Sequence, residues 1–213
     1  MMNRITLLIL FYVFVASGIA QNAKSVLDEA SGAYEKSNGI SAQFTIHIQS
    51  DKQGFFESFE GTIQMKSDRF VLITPDTRTW YDGSTQWTYM LSTDEVYLTE
   101  PSDGELQLIN PITLLRTYNK DFNLSYVSEN STDEGKPAHN LLLTSVASQS
   151  DIEKIEIQIE KATSLPVKMN VFMKNGVRNL IQISRMQTGL NQPDSFFVFN
   201  PKDYPDVVEI DLR

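Results

Sequence analysis

The sequence predicts a mainly β protein of α+β type, in which antiparallel strands share one apolar face and short helices cover it. Three observations predict this. Lys154 to Arg185 alternates apolar and polar residues with period two, the pattern of strands with one wet and one dry face. Shorter alternating runs precede it, separated by turn sequences such as Asp82-Gly83. A stripe of small apolar residues at three- and four-residue spacing marks a helix near the start.

Residues 1–20 read as a secretory signal rather than as part of the fold. Arg4 is the only charge ahead of the apolar run Ile5 to Val15, and Gly18 and Ala20 precede an expected cleavage after Ala20. The run is short for a membrane span. No cysteine follows, so the exported chain has neither an acyl anchor on cysteine nor disulfides nor a thiolate site. Residues 21–213 suit a single domain.

The first helix places Ala23, Val26, Leu27, Ala30, Ala33 and Tyr34 on one side, with Asn22 as its N-cap and Gly39 as its stop. Strand one follows, with Ala42, Phe44, Ile46 and Ile48 facing one way. Phe59, Ile63 and Met65 continue after the turn at Asp51 to Gly54, then Phe70 and Leu72. Asp82-Gly83 turns a hairpin between Thr79-Trp80-Tyr81 and Gln86-Trp87-Thr88-Tyr89, and Glu95 to Glu100 is a further strand. The strands are then interrupted by a helix from Asn110 to Tyr118, capped by Asn110 with Pro111 in its first position. Ile112, Leu115 and Tyr118 form its apolar side with Leu114 nearby. So short a helix holds only by docking on apolar surface. Phe122 to Ser128 and Leu141 to Val146 resume the strands across a Gly135-Lys136-Pro137 loop.

In the final meander the turn decides the register. A two-residue Asn175-Gly176 turn would set Met173 against Arg178. A three-residue loop, Lys174-Asn175-Gly176, sets Met173 against Val177 and Met169 against Ile181, with Gly176 at the left-handed position. The second choice keeps like with like and gives one apolar face of Ile155, Ile157, Met169, Val171, Ile181 and Ile183. Together with Phe44, Ile46, Ile48, Phe59, Ile63, Phe70, Leu72, Trp87 and Tyr89, these residues are the expected lining of a hydrophobic cavity. Ile112, Leu114, Leu115 and Tyr118 are its expected lid.

Charge and motif content exclude several functions. Without Arg4, 27 acidic residues face 17 basic ones, a net charge of about −10, which repels nucleic acid and anionic membrane surfaces. There is no phosphate-cradling glycine loop, no Gly-x-Ser-x-Gly and no histidine pair at ligand spacing. His47, on a polar strand face, and His139, after a proline loop, read as structural. A catalytic site, a metal and a cofactor are therefore not expected.

The order of these features resembles the outer-membrane lipoprotein carrier family, LolA. The resemblance rests on the signal, the small-residue helix, Trp80-Tyr81-Asp82-Gly83 leading to Trp87-Thr88-Tyr89, Asn110-Pro111-Ile112-Thr113-Leu114-Leu115, the meander, and Phe197-Val198-Phe199-Asn200-Pro201. It implies a half-open antiparallel β-barrel with helices as a lid over its concave side. It also implies a monomeric periplasmic carrier of acylated lipoproteins or another lipid, loaded by an inner-membrane lipoprotein-releasing transporter and unloaded to an outer-membrane acceptor. Relatives of this architecture also carry glycolipids or sense envelope lipids and proteins; a lipid hydrolase is the least favoured reading. The family's latch arginine corresponds here to Ser67, with Lys66 and Arg69 the neighbouring cations.

Overall fold

The computed structural model describes residues 22–50, 54–109, 114–148 and 150–213. Among the described residues twelve strands form one sheet. In chain order they are β1 (Ile40–Ser50), β2 (Phe55–Lys66), β3 (Arg69–Ile73), β4 (Thr77–Tyr81), β5 (Gln86–Met90), β6 (Glu95–Thr99), β7 (Phe122–Ser131), β8 (Pro137–Ser145), β9 (Ile152–Glu160), β10 (Leu165–Met173), β11 (Arg178–Thr188) and β12 (Val208–Asp211). Their spatial order is β12-β6-β5-β4-β3-β2-β1-β11-β10-β9-β8-β7. Two meanders, β1 to β6 and β7 to β11, are joined where β1 pairs with β11. All neighbours are antiparallel except β12, which runs parallel to β6. The sheet is curved and unclosed, with β7 and β12 at its edges.

Bulges account for part of the curvature. The register shifts opposite Ala42 in the β1–β11 pair, where Arg185 adopts a φ of 47°, and shifts again in β7–β8 and β9–β10. Each extra residue bends and twists its strand locally. The meander register follows the three-residue loop. Met169 pairs with Ile181 and Ile157, the Met173 amide donates to the Val177 carbonyl at 2.8 Å, and Gly176 has a φ of 90°.

Among the described residues three helices cover the concave face: α1 (residues 22–36), α2 (Asp103–Ile109) and α3 (Leu114–Asp121). Ala23, Val26, Leu27, Ala30 and Tyr34 of α1, Leu106 of α2, and Leu114 and Tyr118 of α3 join the strand residues in one buried cluster. The chain leaves α1 through Asn38 and Gly39, both at positive φ. Asn22 lies inside the helix rather than at its cap, so that cap falls outside the described residues. Residues 110–113, including the expected cap Asn110, Pro111 and Ile112, are also outside them. α2 is an element the apolar spacing did not indicate. Its signal is a capping box: Glu105 Oε2 accepts from the Ser102 amide at 2.8 Å and from its hydroxyl at 2.7 Å, while the Glu105 amide points back to Ser102 Oγ at 3.4 Å.

The C-terminal segment crosses to the outer face. After β11, Phe199 and Tyr204 pack on Trp80, Trp87, Tyr89, Val96 and Leu98, a second apolar cluster separate from the first. Trp80 meets Phe199 edge-on at 5.4 Å, and Tyr89 lies 4.9 Å from Tyr204.

Candidate functional site

Strand parity decides which side chains line the concave face. Cross-strand partners share a face, so Phe44 with Ile183 and Gly61, Ile46 with Ile181 and Phe59, and Ile48 with Asn179 all point inward. Inward too are Ile63 with Leu72, and Phe70 with Tyr81. On the other half, Met169, Ile157 and Leu141 form one row and Val171, Ile155 and Leu143 the next. Ile63, Phe70, Ile155, Ile157, Met169, Val171 and Ile181 are buried beneath the helices, with Phe44, Ile46 and Leu72 packed against them and partly exposed. Ile48 and Phe59 are half-buried, and Phe55, paired with Ser50 on the same face, is 39% exposed. The concave face therefore emerges from beneath the helices along the β1–β2 hairpin, where Glu57, opposite Ile48, lies between Phe55 and Phe59 on it.

Trp87 and Tyr89 do not belong to this face. Trp80 pairs with Trp87 and Arg78 with Tyr89, while Gln86 and Thr88 take the inward positions. The rule that apolar residues face the concave side fails here because the outer side of β4 to β6 is itself covered by the C-terminal segment.

The lid residues divide similarly. Leu114 is 1% exposed and Tyr118 is 3% exposed, both inside the main cluster. Ile112 and the side chain of Leu115 lie outside the described residues. Tyr118 donates its hydroxyl to Asp28 of α1 in a short hydrogen bond, and Asp28 is held by Lys24 at 2.7 Å. Burial, then the Asp28 carboxylate, pushes the Tyr118 hydroxyl up to about 12. Lys24 and then Tyr118 hold Asp28 below the ordinary carboxylate range. The two lid helices are thus tied to one another.

The tie between α1 and the sheet falls at Ser67. The Tyr34 hydroxyl donates to the Ser67 carbonyl at 2.7 Å, in a turn where Ser67 has a φ of 55°. Neither neighbouring cation reaches the lid. Met65 and Phe70 face inward, so Lys66 and Arg69 face outward. There Arg69 pairs with Asp194 at 2.5 Å and Lys66 donates to the Gln192 carbonyl at 2.7 Å. They fasten the C-terminal segment, and Arg69 lowers the Asp194 carboxyl.

Elsewhere the polar chemistry is structural. The outer face of the meander carries a ladder in which Arg178 donates to Asn170 at 2.7 Å and Asn170 to Glu156 at 3.0 Å. A cleft of about 630 Å³ on that side is lined by Lys168, Gln182, Gln158 and Asp133 among others, and Lys168 already pairs with Asp133 at 3.0 Å. Val167, Ile183 and Met186 also line it, so the cleft is mixed in polarity. His47 bonds Ser58 at 2.9 Å and His139 bonds Tyr126 at 2.8 Å. Among the described residues no group of three His, Asp or Glu stands ready for a metal.

Residues 14–171 match the family model described as outer membrane lipoprotein carrier protein LolA. The chain belongs to that family. Its fold is shared by solved structures of low identity. One is an uncharacterized conserved protein from Thermus thermophilus, at 14% identity and a TM-score of 0.57 over 89% of this chain and 99% of that one. Another is a putative outer membrane lipoprotein-sorting protein domain from Vibrio parahaemolyticus, at 10% identity and a TM-score of 0.51 over 84% and 97%. No curated protein matches the sequence. As a LolA-family chain it carries the architecture of a lipid- or lipoprotein-binding family. No helix among its described residues is long and apolar enough to cross a membrane.

Proposed function

We propose that this LolA-family protein is a periplasmic carrier, exported by its first twenty residues, that takes the acyl chains of lipoproteins onto its concave face and ferries them from the inner to the outer membrane. One observation carries the reading. A single apolar face spans most of the sheet, and what covers it is three helices, of which α2 has 7 residues and α3 has 8. Helices of that length have no stability of their own, so apart from the Tyr118–Asp28 bond to α1 they hold their places through apolar contacts that an acyl chain can replace. The sheet keeps its hydrogen bonds when they leave.

Competition of this kind is what a carrier needs. Burying a methylene is worth about 0.8 kcal/mol, so one 16-carbon chain in a fully vacant cavity gains roughly 10 kcal/mol or more. Several such chains would exceed the practical ceiling of noncovalent affinity, about −20 kcal/mol, and would not be released. Because Leu27, Leu106, Leu114 and Tyr118 occupy the same apolar cluster, a ligand exchanges one set of contacts for another and the net affinity is modest. The inner-membrane donor and the outer-membrane acceptor then need only shift a near-balanced equilibrium.

Native mass spectrometry of the protein purified from its own periplasm tests the reading. Co-purified acylated protein or free lipid is the expected result. Repeated preparations carrying neither, and no uptake of acylated peptide from detergent, would remove the basis for a carrier.

A further inference from the structure

The concave face is not apolar throughout. One cross-strand row runs Ile40, Met65, Phe70, Tyr81, Gln86, Thr99 from β1 to β6, and the next runs Ala42, Ile63, Leu72, Thr79, Thr88, Tyr97. Both rows are hydrocarbon through β3. In β5 and β6 they present an amide, three hydroxyls and no aliphatic side chain. Within that polar end Gln86 is enclosed, at 9% exposed and next to the 4% exposed Thr79 of β4, while Thr88, Tyr97 and Thr99 are half-buried.

Gln86 has no complete set of partners. Its Nε2 donates to Thr88 Oγ1 at 3.2 Å, which turns Oε1 away as an acceptor. Among the described residues Oε1 is one of three buried side-chain polar atoms without a hydrogen bond, the others being Ser145 Oγ and Asn179 Oδ1. Ser145 and Asn179 are only half-buried residues. A shielded acceptor with no donor is unfavourable and uncommon in folded proteins, and it is relieved by any ligand that brings a donor to it.

We propose, resting on the carrier reading, that Gln86 receives the polar linkage of the bound lipid. The group it accepts is an amide N–H or a hydroxyl at the root of the acyl chains, with the chains themselves laid along the apolar rows of β1 to β3 and onward through β11. The interior is then amphiphilic in the same sense as its ligand, and the amide sets which end of the ligand lies at β5. The two donors have different sources: an amide N–H comes from an N-acylated lipoprotein terminus, a hydroxyl from a glycolipid or acylglycerol.

Three probes of equal chain length separate these cases in the full mature protein: N-hexadecylacetamide, 1-hexadecanol and hexadecyl acetate, the last having no donor. Wild type is expected to bind at least one donor-bearing probe about tenfold more tightly than the acetate, the worth of one buried hydrogen bond. Whichever of the two is preferred identifies the source. Gln86→Met keeps the volume and lacks the acceptor, so it should bind all three equally, bind the acetate as wild type does, and unfold at the same temperature or higher. Equal binding of all three probes by wild type overturns the proposal, with no variant required. A preference that survives in Gln86→Met overturns it as well. Failure of wild type to bind any of the three refutes the carrier reading itself.

Discussion

Replacing Leu114 by alanine puts a number on the competition between lid and ligand. The side chain is 1% exposed within the main cluster, and truncating a leucine so placed costs about 2 to 5 kcal/mol through lost burial and the cavity left behind. With about 3 kcal/mol lost, a domain of this size should melt about 6 to 12 °C lower. That applies to the empty protein. In the loaded protein α3 has already left the face, Leu114 no longer sits in the cluster, and the loss should be about 1 kcal/mol or less. The difference, about 2 kcal/mol, appears as acyl-chain affinity roughly 30-fold higher in the variant than in wild type. Release to an acceptor should slow in proportion, because the side chain that re-covers the face is gone. Thermal unfolding of both proteins, empty and saturated with a 16-carbon acyl peptide, measures the two losses, and a fluorescence titration measures the affinity independently. Equal destabilisation of the empty and loaded forms, with unchanged affinity, would mean that Leu114 is ordinary core and that α3 does not move.

Three other expectations follow from the same placements. Ile46→Lys, on the part of the apolar face that emerges from the helices, should leave the protein folded and abolish acyl binding, because the ammonium meets hydrocarbon on the ligand side; Thr45→Lys, one residue away on the outer face beside Glu60, should do neither, and similar binding by both variants would misplace the site. Tyr118→Phe should destabilise the empty protein by about 1 kcal/mol, below the usual worth of a hydrogen bond to a charged group because Asp28 is half exposed and screened by solvent. Its pH dependence has two windows. Asp28 lies below its unfolded value, so its contribution is full above about pH 4 and fades as pH falls through the folded value. Tyr118 is raised to about 12, so its contribution is full below about pH 10 and is lost as pH climbs toward that value. Thermal stability against pH should show both losses in wild type and, in Tyr118→Phe, neither the alkaline one nor the part of the acid one that Tyr118 causes; identical profiles would show the contact to be incidental. Finally, Phe199→Ala should lower stability by about 3 to 5 kcal/mol at a side chain that is 4% exposed, with acyl affinity in the folded population unchanged, as befits a cluster on the outer face; a matching loss of affinity would return Trp87 and Tyr89 to the binding surface.

Much of the architecture was readable because strands repeat with period two and because turns are chemically specific. Gly176 needs a left-handed backbone and like side chains must meet across the hairpin, and these two constraints alone set the register of Met169 against Ile181. The same alternation marked Phe44, Ile46, Phe70 and Leu72 as one face, and the spacing of Ala23 to Tyr34 marked α1. The capping box at Ser102 and Glu105 was equally local, although α2, at 7 residues, is too short for its periodicity to announce it. Alternation, however, says only that two faces differ. It does not say which is concave. Trp80, Trp87 and Tyr89 alternate as regularly as the meander residues, yet they face outward, since Phe199 and Tyr204 arrive there from more than a hundred residues away. Gln86 and Thr88 are turned inward by the same parity, and so the buried acceptor of Gln86 has no signature in the sequence. Nor has the tie between Tyr118 and Asp28, 90 residues apart, or the use of Lys66 and Arg69 to hold Asp194 instead of the lid. The local pattern of the chain determined its strands, turns and apolar faces, because those depend on backbone geometry within a few residues. Which face is inside, and which polar groups meet there, was decided only by the folded sheet, because burial is a property of what the rest of the chain brings to cover it.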